Sequence, residues 1–338
     1  MSKDRRELQN RVKEFILSGN NKSVDILFLE LAIDIFKYQV KHCNPYAEFV
    51  RLLEVNPEVV KTIEEIPFLP VKFFKSRNVY SCSTPPEIVF TSSATSGMVP
   101  SKHPVADLSL YQLSFKEAFR LFYGNPQEYN ILALLPSYLE REGSSLVFMV
   151  DTLIKESKSD KGGFYLYDYE KLAENLIRLR GSNRKTILLG VSFALIDFAN
   201  NHKIDLPELI IMETGGMKGR GPERSREEIH QLLKDSFGVN RIHSEYGMAE
   251  LLSQSYSDGE GFFKTPHWMK FMLRDFVNPL KIIDSAERGG LNIIDLANIN
   301  SCSFIETEDI GIKTAENLWK IPGRITNSEI RGCNLLLG

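Results

Sequence analysis

Hydrophobic residues recur at helical spacing along the first part of the chain, from residue 4 to about residue 60. Leu27, Leu31 and Ile35 lie four residues apart and therefore share one face of a helix. The pattern predicts a helical N-terminal layer over residues 1–65, interrupted at Asn44-Pro45 and Asn56-Pro57. The next run, 66–71, contains two prolines, so we expect an extended connector there.

The middle of the chain alternates short apolar runs with helical patterns. The runs predict strands at 86–91, 130–135, 186–190 and 209–212. The helical patterns cover 108–123, 143–155, 169–180, 192–201 and 225–236. Because strands and helices alternate, we predict an α/β fold in which parallel strands are flanked by helices. Ligands of such sheets bind beyond the carboxyl ends of the strands.

The pattern changes after about residue 262 to short strands separated by turn residues. These strands are predicted at 268–274, 280–283, 291–295, 303–307 and 318–321. They indicate a small β-rich subdomain that closes over the core. The predicted division is therefore a helical layer at 1–65, an α/β core at 66–261, and a β-rich subdomain with a C-terminal tail at 262–338.

Composition narrows the function classes. Among 338 residues, 41 are Lys or Arg and 44 are Asp or Glu, a formal charge of −3 that argues against a nucleic-acid partner. The N-terminus is of mixed charge, and no apolar run approaches the roughly 20 residues of a membrane helix. The four cysteines, Cys43, Cys82, Cys302 and Cys333, lack zinc-binding spacing. We therefore expect a cytoplasmic protein with no membrane span.

A loop rich in hydroxyl groups follows the strand predicted at 86–91. It contains Thr91, Ser92, Ser93, Thr95, Ser96 and Gly97, with Lys102 shortly after. Hydroxyls and backbone amides in a turn of small residues can cradle phosphate oxygens. The loop differs from the G-x-x-x-x-G-K-[ST] phosphate loop. A polar turn before the helix at 108–123 is the alternative interpretation.

Two further loops follow later strands. The first contains Gly215 and Gly216 among four glycines at 215–221, which would let a ligand approach the backbone. The second runs from His243 through Tyr246 and Gly247 to Glu250, where a ring can face a purine and a carboxylate can hold Mg²⁺. The alternatives are a solvated loop, a core tyrosine and an acid at a helix N-terminus.

The three loops, in this order and spacing, resemble those of the adenylate-forming superfamily, which includes acyl-CoA synthetases and luciferases. The segment 92–97 is similar to the phosphate loop TSGTTG, and 246–250 is similar to the YGxTE motif. Thr307-Glu308-Asp309 resembles the family's TGD, whose aspartate binds the ribose hydroxyls. Gly323-Arg324 resembles the GR pair that follows it.

Within the superfamily the chain most resembles the LuxE-type acyl-protein synthetases of bacterial bioluminescence operons. Phenylacetate-CoA ligases are the next nearest family. The resemblance is carried by the stretches 66–75, 215–219, 246–254 and 331–333. It implies the fold of the N-terminal domain of adenylate-forming enzymes. Because the chain ends soon after Arg324, the mobile C-terminal domain of full-length relatives, with its adenylation lysine, is expected to be absent.

The resemblance implies that ATP and Mg²⁺ are used to convert a carboxylic acid, with a fatty acid favoured, into an acyl-adenylate. The acyl group would then pass to a thiol, and Cys333 stands where the LuxE family carries its acylated cysteine. The phosphates are assigned to Thr91, Ser92, Ser93, Thr95, Ser96 and Gly97, with Lys102 as a helper. The adenosine is assigned to Gly215, Gly216, Tyr246, Gly247, Asp309 and Arg324. Glu250 would bind Mg²⁺ and serve catalysis, and the implied partners are a small carboxylic acid and an acyl reductase or acyl carrier.

Two substitutions depart from the family pattern and keep other functions open. Ala94 replaces a loop glycine, and Ala249 replaces a threonine or serine. An acyl-CoA ligase of the phenylacetate type is one alternative function, and a nucleotide-binding relative without activity is another. For Cys333 the alternative is a cysteine buried beneath the leucine-rich tail.

Overall fold

The fold was analysed in a computed structural model, which describes residues 3–19, 23–92, 99–136, 143–215, 224–283, 288–316 and 318–325. The chain forms two compact units. The first contains the described residues up to Glu117, the short segment Ala249–Ser253, and those from Thr265 onward. The second contains Ala118–Met248 and Gln254–Lys264. The three-part division drawn from the sequence stays a prediction.

Helices form the start of the first unit. They are α1 (Lys3–Leu17), α2 (Val24–His42), α3 (Asn44–Leu52) and α4 (Phe73–Ser76). Pro45 separates α2 from α3 by standing in the first turn of α3, where a missing N–H costs no hydrogen bond. The buried faces of α1 and α2 carry the apolar positions of the helical pattern, such as Val12, Phe28 and Ile35. Helices are therefore present where the N-terminal pattern predicts them.

Two sheets complete the first unit. One contains β1 (Leu69–Pro70), β10 (Met269–Arg274), β11 (Arg288–Asp295), β12 (Phe304–Lys313) and β13 (Trp319–Lys320). Its strand order is β1-β12-β11-β10, with β13 also paired to β12, and only the β1–β12 pairing is parallel among these described strands. The other sheet is a hairpin of β2 (Ile88–Thr91) and β3 (Lys102–Val105).

A six-stranded sheet forms the centre of the second unit. Its strands are β4 (Tyr129–Leu134), β5 (Gly163–Phe164), β6 (Lys185–Val191), β7 (Ile210–Thr214), β8 (His243–Tyr246) and β9 (Ser255–Ser257). Its order is β5-β4-β6-β7-β8-β9, and every pairing is parallel except β8 with β9. All six residues of β4 are buried, as expected for a strand covered on both faces.

Helices precede and connect the parallel strands. They are α5 (Leu108–Tyr123), α6 (Ser145–Ser157), α7 (Tyr169–Arg178), α8 (Ser192–Asn201) and α9 (Arg226–Phe237). Local signals fix their ends: Ser225 and Glu228 form a capping box at the start of α9, and Gly238 ends it at a φ of 68°. The predicted α/β class, with parallel strands flanked by helices and a β-rich part, is confirmed.

The structure differs from the sequence prediction at two strands. The run predicted at 86–91 pairs antiparallel with β3 instead of joining the parallel sheet. The run at 280–283 forms only an isolated bridge between Arg274 and Ile282. Every helix within the described ranges is too short or too polar to cross a membrane.

Candidate active site

The hydroxyl loop begins and ends on a pair of serines in the first unit. The backbone N–H of Ser92 donates to the carbonyl of Ser101 at 3.1 Å, and the backbone N–H of Ser101 donates to the Ser92 hydroxyl at 2.9 Å. Thr91 pairs with Lys102 in the β2–β3 hairpin, next to the Ser92–Ser101 pair. Thr91 and Ser92 are half-buried, and Lys102 is exposed. The hairpin thus fixes both ends of the loop.

Glu250 is buried in the same unit, with 6% of its surface exposed. The hydroxyl of Ser101 donates a hydrogen bond to Oε1 of Glu250. Burial raises the pKa of Glu250, although the Ser101 bond and the charges of Arg324 and Lys75 oppose the shift. A carboxylate removed from water is costly unless a cation or hydrogen-bond donors face it. Glu250 is therefore suited to a cation at the closed end of the hydroxyl loop.

Two side chains form hydrogen bonds with the backbone carbonyls of Ala249 and Glu250. Nδ1 of His103 lies 2.8 Å from the Ala249 oxygen, and Nδ2 of Asn298 donates to the Glu250 oxygen at 2.8 Å. Burial lowers the pKa of His103 to about 4, so its ring is neutral at pH 7. A carbonyl only accepts, so Nδ1 is the donor and Nε2 accepts from the Ser301 hydroxyl at 2.9 Å. His103 is thereby a structural support for the Ala249–Glu250 backbone.

Asp295 holds the residues that follow. Its carboxylate accepts hydrogen bonds from the backbone N–H groups of Leu252 and Ser253 at 2.8 and 3.0 Å, and from the Ser253 hydroxyl at 2.6 Å. Burial raises the pKa of Asp295 to about 6 in spite of these bonds. The segment Ala249–Ser253 is therefore fixed along its length, which orients the Glu250 side chain.

The two predicted ribose ligands lie together in the first unit. Asp309, on β12, and Arg324 form an isolated antiparallel bridge, and Arg324 Nε lies 4.0 Å from Asp309 Oδ1. The Arg324 side chain is 75% exposed, whereas that of Asp309 is 16% exposed. The positive charge of Arg324 also lowers the pKa of Glu250. Arg324 therefore interacts electrostatically with both Asp309 and Glu250 in the first unit.

The predicted adenine residues lie at the carboxyl ends of β7 and β8 in the second unit. Gly215 follows β7, is exposed and has a φ of 67°. Tyr246 ends β8, is half-buried and meets the Phe263 ring edge-on at 6.0 Å. A Cβ at Gly247 would lie 2.6 Å from Glu245 Oε1, so a side chain here would require the buried Glu245 carboxylate to shift. The Tyr-Gly pair is therefore shaped by the packing around Glu245.

A buried ion cluster lies at the end of β7. Glu213 accepts from the Ser192 hydroxyl at 2.9 Å and from Arg226 Nε at 3.1 Å, and His230 Nε2 lies 3.7 Å away. Burial alone would raise the pKa of Glu213, but His230 and Arg226 outweigh burial and lower it. Glu213 is therefore an ionised, paired carboxylate.

Glu245, on the neighbouring strand β8, has the opposite environment. It accepts a hydrogen bond from the Thr214 hydroxyl. Burial, with the charge of Glu213 adding to it, raises the pKa of Glu245 to about 7. Two adjacent buried glutamates thus favour opposite protonation states, and sequence reasoning identified neither of them.

The free energy of unfolding should depend on pH in opposite ways through Glu245 and Glu213. A folded pKa of about 7 against the ordinary 4.5 means that Glu245 stabilises the fold fully below pH 4.5 and that this contribution is lost as pH rises through 7. We expect Glu245→Gln to raise the free energy of unfolding at pH 8 by about 3 kcal/mol, measured by urea denaturation at pH 5 and pH 8. Glu213→Gln is the matched control and should lower stability at pH 8. Equal effects of the two variants would contradict the assigned charges.

Six of the predicted site residues lie outside the described residues. They are Ser93, Thr95, Ser96, Gly97, Gly216 and Cys333.

The described cysteines are buried or half-buried. Burial raises the pKa of Cys43 to about 11, and it raises the pKa of Cys82 and of Cys302 as well. The thiolate is the nucleophilic form of cysteine, so these three thiols are poor nucleophiles near pH 7.

The donor set at Glu250 fits Mg²⁺ that is bound together with a nucleotide. Mg²⁺ takes oxygen ligands and is commonly held by one or two carboxylates plus substrate phosphates. Glu250 supplies one buried carboxylate beside a loop rich in hydroxyls. The described part of the chain contains no group of three or more His, Cys, Asp or Glu that could hold a metal without such a substrate.

The supports of Glu250 could not be found from sequence. Ser101 and His103 stand next to the hydroxyl loop, but no motif marks them. Asp295 and Asn298 lie more than 40 residues beyond the segment that they hold. Only the folded chain joins these positions, because each contact links elements that are distant in sequence.

Comparison with known proteins relates the chain to one family of ligases. Residues 8–338 match the family described as acyl-protein synthetase, LuxE. A long-chain-fatty-acid–luciferin-component ligase of Aliivibrio fischeri is 26% identical over 276 residues, which cover 74% of this chain and 70% of the relative. The ligase of the same name from Photorhabdus luminescens is 33% identical over 70 residues, which cover 20% of this chain and 60% of the relative.

Solved structures share the fold. A 2-hydroxyisobutyryl-CoA ligase, in complex with 2-HIB-AMP and CoA, superposes with a TM-score of 0.66 at 13% identity and covers 90% of this chain and 75% of its own. ATP-bound MatB from Rhodopseudomonas palustris superposes with a TM-score of 0.51 at 14% identity. The match covers 79% of this chain and 50% of the MatB chain. At these identities the likeness concerns the fold alone.

Proposed function

Because the chain belongs to the LuxE family of acyl-protein synthetases, we propose that it activates a carboxylic acid with ATP and transfers the acyl group to a thiol. A carboxylate oxygen of the acid attacks the α-phosphorus, the bond to the β-phosphate breaks, and pyrophosphate leaves. The thiol then attacks the acyl carbon, AMP leaves, and the thiol proton passes to solvent. The name of the Aliivibrio relative supports a long-chain fatty acid as the substrate.

The observation that carries this proposal is the pairing of Ser101 with buried Glu250 where the hydroxyl loop closes. In the adenylation step charge develops on the phosphates, and donors already in position stabilise it most effectively. Thr91, Ser92 and the rest of the hydroxyl loop, with Lys102, would contact the phosphates. Glu250 would hold Mg²⁺, which neutralises phosphate charge when bound.

The groups proposed to contact the adenosine lie on each unit separately. Gly215, Tyr246 and Gly247 offer an exposed backbone and a ring supported by Phe263. Asp309 offers a carboxylate for the ribose hydroxyls, and the exposed guanidinium of Arg324 stands beside it. A flat ring suits a purine, and a carboxylate suits a pair of hydroxyl donors.

Cys333 is the proposed acyl acceptor within the chain. Transfer through a thioester divides a difficult reaction into two easier steps. The raised pKa values of Cys43, Cys82 and Cys302 make those described thiols weak competitors for this role. An acyl reductase or an acyl carrier would then take the acyl group, and we propose that this occurs in the cytoplasm.

ATP–pyrophosphate exchange, measured across saturated fatty acids, aryl acids and amino acids, tests the proposed function. We expect exchange that depends on Mg²⁺ and is fastest with long-chain fatty acids. Nucleotide binding without exchange for any acid would contradict an adenylating activity. Formation of a CoA thioester as fast as pyrophosphate release would instead favour an acyl-CoA ligase.

His103 provides a test of how Glu250 is positioned. Replacement by Leu removes the donor to the Ala249 carbonyl, and we expect the exchange rate to fall by about 10- to 100-fold, as for other groups that orient a metal ligand. The Mg²⁺ concentration for half-maximal exchange should rise in parallel. His267 contacts the Phe15 carbonyl at 2.7 Å in the same way, so His267→Leu is the matched control and should retain exchange. Equal losses of exchange in both variants would contradict this positioning role and would show that His103 only stabilises the fold.

A further inference from the structure

A cleft lies at the amino edge of the six-stranded sheet in the second unit. It is formed by the residues after α6 and by the loop between α7 and β6, beside the start of β4, and it has a volume of about 530 Å³. Twelve described residues line it, of which five are cationic and one, Asp160, is acidic. The cationic residues are Lys158, Lys161, Arg178, Arg180 and Arg184. We call this site the basic cleft.

Neutral groups fix two of these cations. Arg180 Nη2 donates to the Asp205 carbonyl at 2.7 Å, and Arg184 Nη1 donates to the Ser157 carbonyl at 3.0 Å. Within the described ranges neither guanidinium has an ion-pair partner within 4.0 Å, although the charge of Arg184 helps to lower the pKa of Asp160. Both guanidinium groups keep further N–H donors. Lys161 pairs with Asp160 and Arg178 with Glu174, but these contacts are on the exposed surface, where ion pairs are weak.

Lys158 occupies a backbone position that favours glycine. It caps the end of α6 with a φ of 51° and a ψ of 24°, in the left-handed region. Glycine is the usual residue there, because a Cβ makes this conformation unfavourable. A lysine therefore stands at this turn against its backbone preference, and it lines the cleft. Glu54, Leu166 and Glu260 also have a positive φ, so the backbone conformation alone does not mark a site.

The floor of the basic cleft is polar and ordered. Asn130 is 2% exposed, and its Oδ1 accepts a hydrogen bond from the Ser159 hydroxyl at 2.6 Å. Ser182, on the other side, supports the next turn by accepting from the backbone N–H of Arg184 at 3.2 Å. The Asn130 amide in turn donates to the Ser182 hydroxyl at 3.5 Å, so the floor is internally bonded. The donors left for a ligand are the Ser182 hydroxyl and the guanidinium groups, which suit the oxygens of a phosphate.

We propose that the basic cleft binds a small phosphate-bearing anion. Its volume lies within the range of about 300 to 1,000 Å³ that small-ligand sites occupy. The cleft lies at the amino ends of β4 and β6, whereas Gly215 and Tyr246 lie at carboxyl ends of the same sheet. It is therefore a second site, independent of the proposed nucleotide site.

Calorimetric titration with inorganic tripolyphosphate, on the full chain at low salt, tests this proposal. Lys158→Gly removes a charge while giving the turn its preferred residue, so this variant should fold at least as stably as the parent protein. We expect Lys158→Gly and Arg184→Gln each to raise the dissociation constant at least about tenfold. Lys171→Ala, which removes an exposed cation from the first turn of α7, is the matched control and should leave the constant unchanged.

Glu250→Gln distinguishes the two sites. Binding to the basic cleft should be unchanged in this variant, whatever happens to pyrophosphate exchange. Unaltered binding in both cleft variants would overturn the proposal, and so would binding that is lost only with Glu250→Gln, because the anion would then occupy the nucleotide site. Capture of a glutamate-rich peptide in place of tripolyphosphate, abolished by the cleft variants, would also overturn it and would identify a docking surface for an acidic protein.

Discussion

Replacing Glu250 with Gln is expected to lower ATP–pyrophosphate exchange by about 100- to 1,000-fold, the loss seen when one preorganised charge-stabilising group is removed. The amide preserves the shape of the side chain and can still meet the Ser101 hydroxyl. It removes the charge that would hold Mg²⁺. Burial raises the pKa of Glu250, so the variant should also fold at least as stably near neutral pH. Exchange and urea denaturation measured on the same preparations separate the two effects.

The control for Glu250 is an acid on the surface of the same unit. Glu58 has a side chain that is 75% exposed and forms an ion pair with Lys37. Glu58→Gln removes the same charge from the first unit and should leave exchange unchanged. A Glu250→Gln enzyme with parental exchange and an unaltered Mg²⁺ requirement would contradict the role proposed for this carboxylate.

The second large effect concerns Cys333. Replacement by Ala should abolish the acyl label that the protein retains after incubation with ATP and a radioactive fatty acid. Pyrophosphate exchange should persist, because adenylation precedes the thiol step. Hydroxylamine should release the label of the parent protein as the acyl hydroxamate, since a thioester is cleaved by this nucleophile.

Cys82→Ala is the control for Cys333. Cys82 is half-buried and has a raised pKa, so its loss should leave the label at the parental level. Full labelling of the Cys333→Ala protein would exclude Cys333 as the acceptor. Loss of exchange together with the label would show that the substitution disturbs adenylation instead of the transfer step.

The architecture follows from local patterns wherever those patterns are strong. The bounds of α5 and α8 are identical to those predicted from the spacing of their apolar residues, although α8 has no side-chain cap. The parallel sheet follows from the alternation of strands and helices. The family resemblance seen in the loops is confirmed by the match over residues 8–338.

The hairpin of β2 and β3 could not be predicted in the same way. Strand β3 contains His103 and Pro104, and proline lowers the expectation of a strand because it cannot donate to a ladder. It is tolerated because β3 pairs with β2 alone among the described strands. Pairing partners depend on long-range packing, which periodicity does not encode.

The candidate site shows the same limit. Motifs identify Tyr246, Glu250, Asp309 and Arg324 as candidates, whereas Ser101 meets Glu250 across 149 residues of sequence. No spacing rule connects positions so far apart. The roles of the predicted residues stay predictions, because a motif names residue types and does not measure binding.

The contact of Gly247 with Glu245 affects how members of this family should be sorted into active and inactive enzymes. A larger residue at Gly247 would displace the Glu245 carboxylate, which is buried and hydrogen-bonded to Thr214, so glycine has a packing role there that is separate from catalysis. In a lineage that abandoned ligation this packing role would remain, whereas selection on the proposed role of Glu250 would relax. Genomic surveys that score degenerate homologues should therefore weigh the acidic position and disregard the glycine.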